Sequence, residues 1–394
     1  MMLQSGYMSI IIMKWRLTIR WSRPEIQPDL PREGILSEMR AGCSLKNHQD
    51  LRPSKNEDLR QLAAVSPLAV ITLGFSFSTT LSETQWFICN NLEIMNSRRS
   101  HLIRLFLRAQ KLAQRNASIE FVRRLSRWTE RLYSVPKDVH WEKFIRNEQT
   151  YEWLIPKEVG CERVIFYIHG GFVFPLYNPT RYIAAYLAKM AGMRVLLVEF
   201  RLAPENPFPA AIEDCVTAYH WLISEGSVLP EQVIFVGESA GGNLAITTML
   251  SLRDAGDHLP SGAVSICPVI DFEGGGTFYL QDDPMVDADF VMRQLNAYRG
   301  NADPHDPRLS PLYANLRGLP PLLIQIGAEE ILLSGAEELA LRAKHAGVPT
   351  TLEIWPGMWH FWHLFVPFLP EAKQAMQRIN HFLQSCSKQE PAAG

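Results

Sequence analysis

A serine, a histidine and a carboxylate, each at the end of an apolar run, are the residues of this chain best suited to chemistry. Ser239 lies in Gly237-Glu238-Ser239-Ala240-Gly241, directly after the run Gln-Val-Ile-Phe-Val and before a helical pattern. A G-x-S-x-G pentapeptide between a strand and a helix makes a strained turn that presents the serine hydroxyl. Glycines at both ends of the pentapeptide avoid side chains that would clash at so sharp a bend. The helix that opens there points its positive end at the serine, which favours a developing oxyanion. A second motif, His169-Gly170-Gly171-Phe172, follows the run Arg-Val-Ile-Phe-Tyr-Ile. By itself it is a glycine turn leaving a strand. Paired with the Ser239 turn, the N–H groups of Gly170 and Gly171, with that of Ala240, can form an oxyanion hole, each donor worth about 3 kcal/mol of barrier. His169 then organises the loop and is not a base.

The base and its orienting acid come later in the chain. His360 stands in Gly357-Met358-Trp359-His360 after the last strand pattern, and Glu330 in Gly327-Ala328-Glu329-Glu330 after the run Pro-Pro-Leu-Leu-Ile-Gln-Ile. The order serine, acid, histidine is that of the α/β-hydrolases, unlike the chymotrypsin-like and subtilisin-like orders. Two competitors stay open: His363 as the base and Glu329 as the acid. His360 and His363 could also form an i, i+3 metal pair, but no cysteine or acid cluster in the sequence completes a ligand set. Neither a Walker loop nor G-x-G-x-x-G occurs, so no nucleotide cofactor, and no cofactor or metal at all, is expected. Phe172, Phe174 and Trp359, with Phe361, flank the catalytic loops and are expected to make an apolar substrate pocket.

These residues need a frame. Apolar runs at 163–168, 194–200, 232–236, 262–267, 321–326 and 351–355 alternate with helical patterns near 180–191, 208–225, 241–254, 335–346 and 369–386. Runs apolar on both faces predict a parallel sheet covered by helices, an α/β fold. The active residues then fall at the carboxyl ends of strands. The stretch 272–305 interrupts the alternation, with Gly274-Gly275-Gly276 and a helical pattern around Phe290 to Tyr298. Upstream, Leu102, Leu105, Ala109 and Leu112, then Phe121, Leu125, Trp128 and Leu132, recur at helical spacing, with a break at Asn116-Ala117-Ser118. Residues 98–131 hold ten Lys or Arg against Glu120 and Glu130. The favoured reading is a helix pair with its apolar face packed and its basic face solvated; the other is a surface that touches membranes or nucleic acid. Residues 1–94 lack sustained periodicity and read as an upstream extension, from a start codon placed too early or as a real irregular segment. The expected organisation is an extension over 1–94, cap helices over 95–137, and a catalytic domain over 138–388 with a cap insertion at about 272–305.

Composition narrows the class. The chain has 394 residues, 47% hydrophobic and 20% charged, with a net charge of −2. Such a chain buries a sizeable core and is not intrinsically disordered. Its overall charge favours neither nucleic acid nor an anionic membrane. The six cysteines (Cys43, Cys89, Cys161, Cys215, Cys267 and Cys386) are scattered, with no C-x-x-C. They read as core or surface thiols in a reducing, cytoplasmic setting. The most apolar stretch, Leu62 to Phe77, contains Pro67 and Gly74 and is short for a bilayer span, so no integral membrane segment is expected. A small-molecule substrate is the expected partner, and a homodimer is left open.

From about Val139 to Phe382 the sequence resembles the hormone-sensitive-lipase-like esterases of the α/β-hydrolase superfamily. The resemblance rests on His169-Gly170-Gly171, on Arg201-Leu202-Ala203-Pro204-Glu205 with Phe208-Pro209-Ala210-Ala211, and on Gly237 to Gly242. It continues in Ser310-Pro311-Leu312, Gly318-Leu319-Pro320-Pro321, Gly327 to Leu332 and Gly357 to His360. It implies the α/β-hydrolase fold with a helical cap, and a serine carboxylesterase with Ser239 as nucleophile, His360 as base and Glu330 as acid. Three departures stand out. Phe172 replaces a usual third glycine, so the loop donors are either Gly170 and Gly171 or Gly171 and Phe172. Glu330 stands where aspartate is commoner, and Ser334 where an acid is frequent. The expected reaction is hydrolysis of short- to medium-chain acyl esters through an acyl-enzyme. The rivals are a longer-chain lipase, an amidase or formamidase, and a non-catalytic ligand-binding receptor on the same fold.

Overall fold

Residues 7–12, 15–20, 98–114, 117–129, 133–146, 148–273 and 282–386 are described by the structure, a computed structural model. The chain divides into two compact units, 1–80 and 81–394. In the first, β1 (Tyr7–Ile12) and β2 (Trp15–Arg20) form an antiparallel pair. That hairpin lies where the sequence showed no sustained periodicity; the rest of the 1–94 stretch lies outside the described residues.

In the second unit the apolar runs become strands. β5 (Val164–Ile168), β6 (Arg194–Glu199), β7 (Val233–Glu238), β8 (Gly262–Ile266), β9 (Leu322–Gly327) and β10 (Thr350–Trp355) match all six expected runs. Every residue of β5, β7, β8 and β9 is buried. A pleated strand can do that only when both faces of its sheet are covered. Two further strands were not expected: β3 (Val139–Arg146) and β4 (Gln149–Pro156), an antiparallel pair joined by a tight turn. β3 is an edge strand, mostly exposed and rich in charge. It therefore carries no apolar run, and its charges keep the open edge from recruiting another strand. The sheet runs β10-β9-β8-β7-β5-β6-β4-β3, parallel from β10 through β6, and β4 and β3 are antiparallel to their neighbours.

Helices fill the connections: α3 (Asn178–Ala191), α4 (Ala210–Ser224), α5 (Ala240–Ala255), α6 (Ala288–Arg299), α7 (Leu333–His345) and α8 (Pro370–Ser385). α5 is the most deeply buried, with twelve of its residues inside the protein. It runs under the sheet from the site itself. α6 lies in the 272–305 excursion, of which 274–281 falls outside the described residues.

The basic upstream stretch folds as α1 (Arg98–Gln114) and α2 (Ile119–Thr129), with the break where the sequence put it. Its orientation differs from the expectation. Leu102, Leu105, Phe106 and Leu112 are 60–75% exposed, while the cations of the opposite side bind the protein. Lys111 reaches Asp282 and the carbonyl of Asp283, both at 2.9 Å. Arg104 pairs with Glu329 at 2.9 Å and donates to the Gly357 carbonyl. From α2, Arg123 holds the carbonyls of Val173 (2.5 Å) and Ala203 (2.7 Å) and the Glu205 carboxylate. Acidic side chains and loop carbonyls hold the packed face of α1, where Leu107 and Ile103 also join the core. Among the described residues, no helix is long and apolar enough to cross a membrane.

Candidate active site

Five loops at the carboxyl ends of β5, β7, β8, β9 and β10 converge. After β7, Ser239 adopts φ 54° and ψ −113° and caps α5. A left-handed φ on a non-glycine residue costs of order 1–3 kcal/mol and marks a strained, over-determined position. The glycines make the turn feasible. A Cβ on Gly241 would lie 2.0 Å from the Ile168 carbonyl oxygen, and one on Gly237 would lie 2.2 Å from the Gly241 carbonyl oxygen. The strain is held by the Ser239 N–H donating to Ile266 O at 2.8 Å.

Past β10, His360 is 8% exposed and its Nδ1 meets Glu330 Oε2 at 2.9 Å. Glu330 Oε1 accepts from the Gly327 N–H at 2.7 Å and from the Cys267 thiol at 2.8 Å. The longer glutamate arm therefore does reach. Burial pulls the His360 pKa down, but the hydrogen bond and charge of Glu330, with Asp283 behind, outweigh it and the net shift is upward. Asp283 Oδ2 accepts the His360 N–H at 2.9 Å, and Cys267 Sγ accepts the Phe361 N–H at 3.4 Å. Phe361 itself has φ 50°. Side chains from two other loops thus pin the peptide that carries the imidazole. The Ser239 hydroxyl and His360 share one cavity, though no hydrogen bond joins them among the described residues. Such bonds are often long before substrate binds.

The competitors are placed elsewhere. His363 Nε2 meets Gln325 Oε1 at 2.8 Å, and burial drives its pKa down to about 3. Glu329 is turned to Arg104. His169 is buried, its ring stacked on Phe200 at 4.1 Å, with its pKa lowered to about 4 by burial, which suits a neutral loop organiser. Ligand atoms of Cys267, Glu330 and His360 lie within 4.8 Å of one another. Their hydrogen bonds at 2.8 and 2.9 Å already close on each other, and a metal ion would have to break both.

The oxyanion loop shows which of the two donor pairs is open. Gly170 N–H is occupied: it donates to Glu238 Oε1 at 2.9 Å, an oxygen that also accepts from Thr180 at 3.2 Å. Among the described residues no acceptor meets the N–H groups of Gly171, Phe172 and Ala240. The Gly170 N–H is thus taken by Glu238, while those of Gly171 and Phe172, the alternative pair, meet no acceptor among the described residues. Glu238 is fully buried, and burial lifts its pKa to about 7.

A cavity of about 280 Å³ holds Ser239, His360, Gly171 and Ala240. Phe172 and Phe174 line it as expected, with Phe361, Phe290, Val286 and Leu295. Val122 and Ser126 of α2 close another side. Trp359 does not line it. It is 0% exposed, packs on Phe365 and lies under the Arg104 guanidinium, so it belongs to the core. The chain turns between Trp359 and His360, and only the second of the two faces the cavity. Three residues that bind the machinery carried no role in the sequence reading: Glu238, Cys267 and Asp283. Glu238 sits inside the serine pentapeptide and Cys267 at the end of a strand, so the strand-end rule could have found both. Asp283 has no such signal.

Known proteins share this fold. The family of the alpha/beta hydrolase fold matches residues 165–364. An acetyl-hydrolase of Streptomyces hygroscopicus is 39% identical over 243 residues, covering 60% of this chain and 80% of that protein. An esterase of Acinetobacter venetianus is 34% identical over 236 residues, covering 59% and 78%. A solved esterase/lipase from an uncultured bacterium is similar at TM-score 0.70 and 34% identity, over 74% of this chain and 99% of its own. The chain belongs to the α/β-hydrolase fold family. Within that family it falls in the hormone-sensitive-lipase-like branch. A solved esterase of the bacterial hormone-sensitive lipase family is 38% identical at TM-score 0.70, over 74% of this chain and 99% of its own.

Proposed function

We propose that this carboxylesterase hydrolyses short- to medium-chain acyl esters through a triad of Ser239, His360 and Glu330. The observation that carries the reading is the Glu330–His360 bond at 2.9 Å, opening on the cavity that also holds a strained Ser239. Glu330 holds the proton on Nδ1, which leaves Nε2 as the base. His360 takes the Ser239 proton as the oxygen attacks the ester carbonyl. The N–H groups of Gly171, Phe172 and Ala240 receive the negative charge of the tetrahedral intermediate. His360 then protonates the leaving alcohol, and water, activated the same way, cleaves the acyl-enzyme.

Cavity size supports the chain-length preference. About 280 Å³ is below the usual 300–1,000 Å³ range of ligand pockets, which favours small acyl groups over those a lipase takes. The walls built by α2 and by 285–295 act as the cap. Free thiols at Cys161, Cys215, Cys267 and Cys386 support a reducing compartment such as the cytoplasm. The test is a p-nitrophenyl ester series, acetate to palmitate, on the intact protein and on Ser239→Ala. Activity that peaks at short or medium chains and is lost in the variant is the expected result. A peak at the longest chains overturns the size argument, activity unchanged in the variant overturns the nucleophile, and no activity in either protein returns the receptor and amidase readings.

A further inference from the structure

The esterase reading leaves one feature unused, the exposed apolar stripe of α1. Leu102, Leu105, Phe106 and Leu112 are 69%, 66%, 60% and 75% exposed. At 100° per residue these four and Ala109 fall within an arc of roughly 120°. Exposed arginines border that arc on both sides, Arg99 on one and Arg108, 3.8 Å from Asp282, on the other. The surface extends through Phe368, 61% exposed, whose carbonyl accepts from Arg99 at 3.2 Å. On α2, Phe121 is 54% exposed and Arg124 and Arg127 are exposed as well. Single exposed leucines are ordinary on a protein surface; a contiguous helical stripe of them is not.

An apolar stripe flanked by arginines has the chemistry of a helix that lies in a membrane interface, with its apolar face in the acyl boundary and its cations at lipid phosphates. Charge decides among the occupants. α1 holds no acidic residue, so a second copy paired through this face would meet Arg99 and Arg108 with no acid of its own, which disfavours that contact. The chain's apolar stretch 62–77 contains no acidic residue to meet those cations. A nucleic acid would satisfy the cations but not four exposed aliphatic and aromatic side chains. We propose that the exposed face of α1, extended by Phe121 and Phe368, docks the protein on an anionic phospholipid surface. Docking would bring the esterase to a surface where apolar esters are concentrated. Docking itself is independent of the triad, so binding and hydrolysis can be measured apart.

The experiment is flotation of the full chain with phosphatidylcholine vesicles, with and without about a third phosphatidylglycerol. The protein is expected to float with the anionic vesicles and not with the neutral ones, and to be released as salt rises to about 0.5 M. The variant Leu102→Ser/Phe106→Ser should lower the partition coefficient by at least about tenfold, with hydrolysis of dissolved p-nitrophenyl butyrate unchanged. Arg99→Gln/Arg108→Gln is the second variant; it keeps the apolar face and should lose the preference for anionic lipid. Failure to float with anionic vesicles overturns the proposal. Flotation that neither variant alters overturns it equally. A concentration-dependent dimer that the serine variant dissociates, without vesicle binding, assigns the face to a second copy. Binding that appears only after residues 1–94 are removed assigns it to the chain's own upstream segment.

Discussion

Replacing Cys267 by alanine tests whether the carboxylate of the triad is held from more than one side. The thiol donates to Glu330 Oε1 at 2.8 Å and accepts the Phe361 N–H at 3.4 Å. Alanine removes both contacts inside a fully buried site. A hydrogen bond to a carboxylate is worth about 1.5–3 kcal/mol, and a thiol is a weak donor, so the low end applies. The orphaned Phe361 N–H costs about 1 kcal/mol more, and the lost sulfur leaves a small cavity. Folding stability should fall by roughly 3 kcal/mol in urea denaturation. Activity should fall far less. Glu330 keeps the Gly327 N–H at 2.7 Å and His360 at 2.9 Å, so kcat/KM on p-nitrophenyl butyrate should drop no more than about tenfold, or 1.4 kcal/mol. The direction of the pH effect is also set. With one donor gone, the carboxylate interacts more strongly with the imidazolium, so His360 keeps its proton to higher pH and the acidic limb of kcat/KM moves up. Cys267→Ser should restore both contacts and reverse the shift. Burial already pushes the thiol well above its ordinary pKa, so the wild-type group acts as a neutral donor throughout the assay range. A loss in the alanine variant as deep as that of Ser239→Ala, or an acidic limb that moves down, would refute this account of the acid.

Further outcomes follow from the geometry. The net upward shift of His360 places the acidic limb of wild-type kcat/KM above pH 6.5, readable from a pH–rate series. Glu238→Ala frees the Gly170 N–H and lets the oxyanion loop drift; kcat should fall by roughly tenfold to a hundredfold with KM little changed. Glu238 also titrates. Its pKa is about 7 in the folded protein against 4.5 ordinarily, so the folded state takes up a proton that the unfolded state does not. Stability should therefore fall, by something on the order of 3 kcal/mol, as pH rises from about 4.5 to 7, and Glu238→Gln should flatten that slope in pH-dependent denaturation. Trp359→Ala should cost about 3–5 kcal/mol of stability and leave the acyl-chain profile unchanged. Phe290→Ala, in the cavity wall, should move the activity optimum to longer chains in the same ester series.

The parallel strands could be read from the sequence because burial on both faces writes them as continuous apolar runs, as in Val233–Val236. β3 could not, because an exposed edge strand such as His-Trp-Glu-Lys-Phe-Ile-Arg has neither a run nor a clean alternation. The serine turn and the Gly-rich loop announce themselves through backbone constraints that only glycine relieves. Contacts between distant loops leave no such local trace. Nothing near Gly170 says that its N–H is taken by Glu238, and nothing near His360 says that Asp283 holds it from the far side of an insertion. The helical spacing of Leu102, Leu105 and Leu112 marked α1 correctly but gave the wrong orientation. Periodicity shows that a face is apolar; which face is buried depends on partners, here Asp282, Glu329 and the Gly357 carbonyl.

The site draws on loops after five strands, with Ser239 after β7 and His360 after β10, the last strand of the sheet. A chain emerging from the ribosome has its serine and its oxyanion loop long before its proposed base, and its proposed acid shortly before it. Until β10 pairs with β9 and brings His360 to Glu330, the hydroxyl has nothing to accept its proton. On the proposed triad, the protein would stay silent through synthesis and gain its chemistry only when β10 pairs with β9. A fragment cut just before residue 360 would keep every strand of the sheet and lack the proposed base.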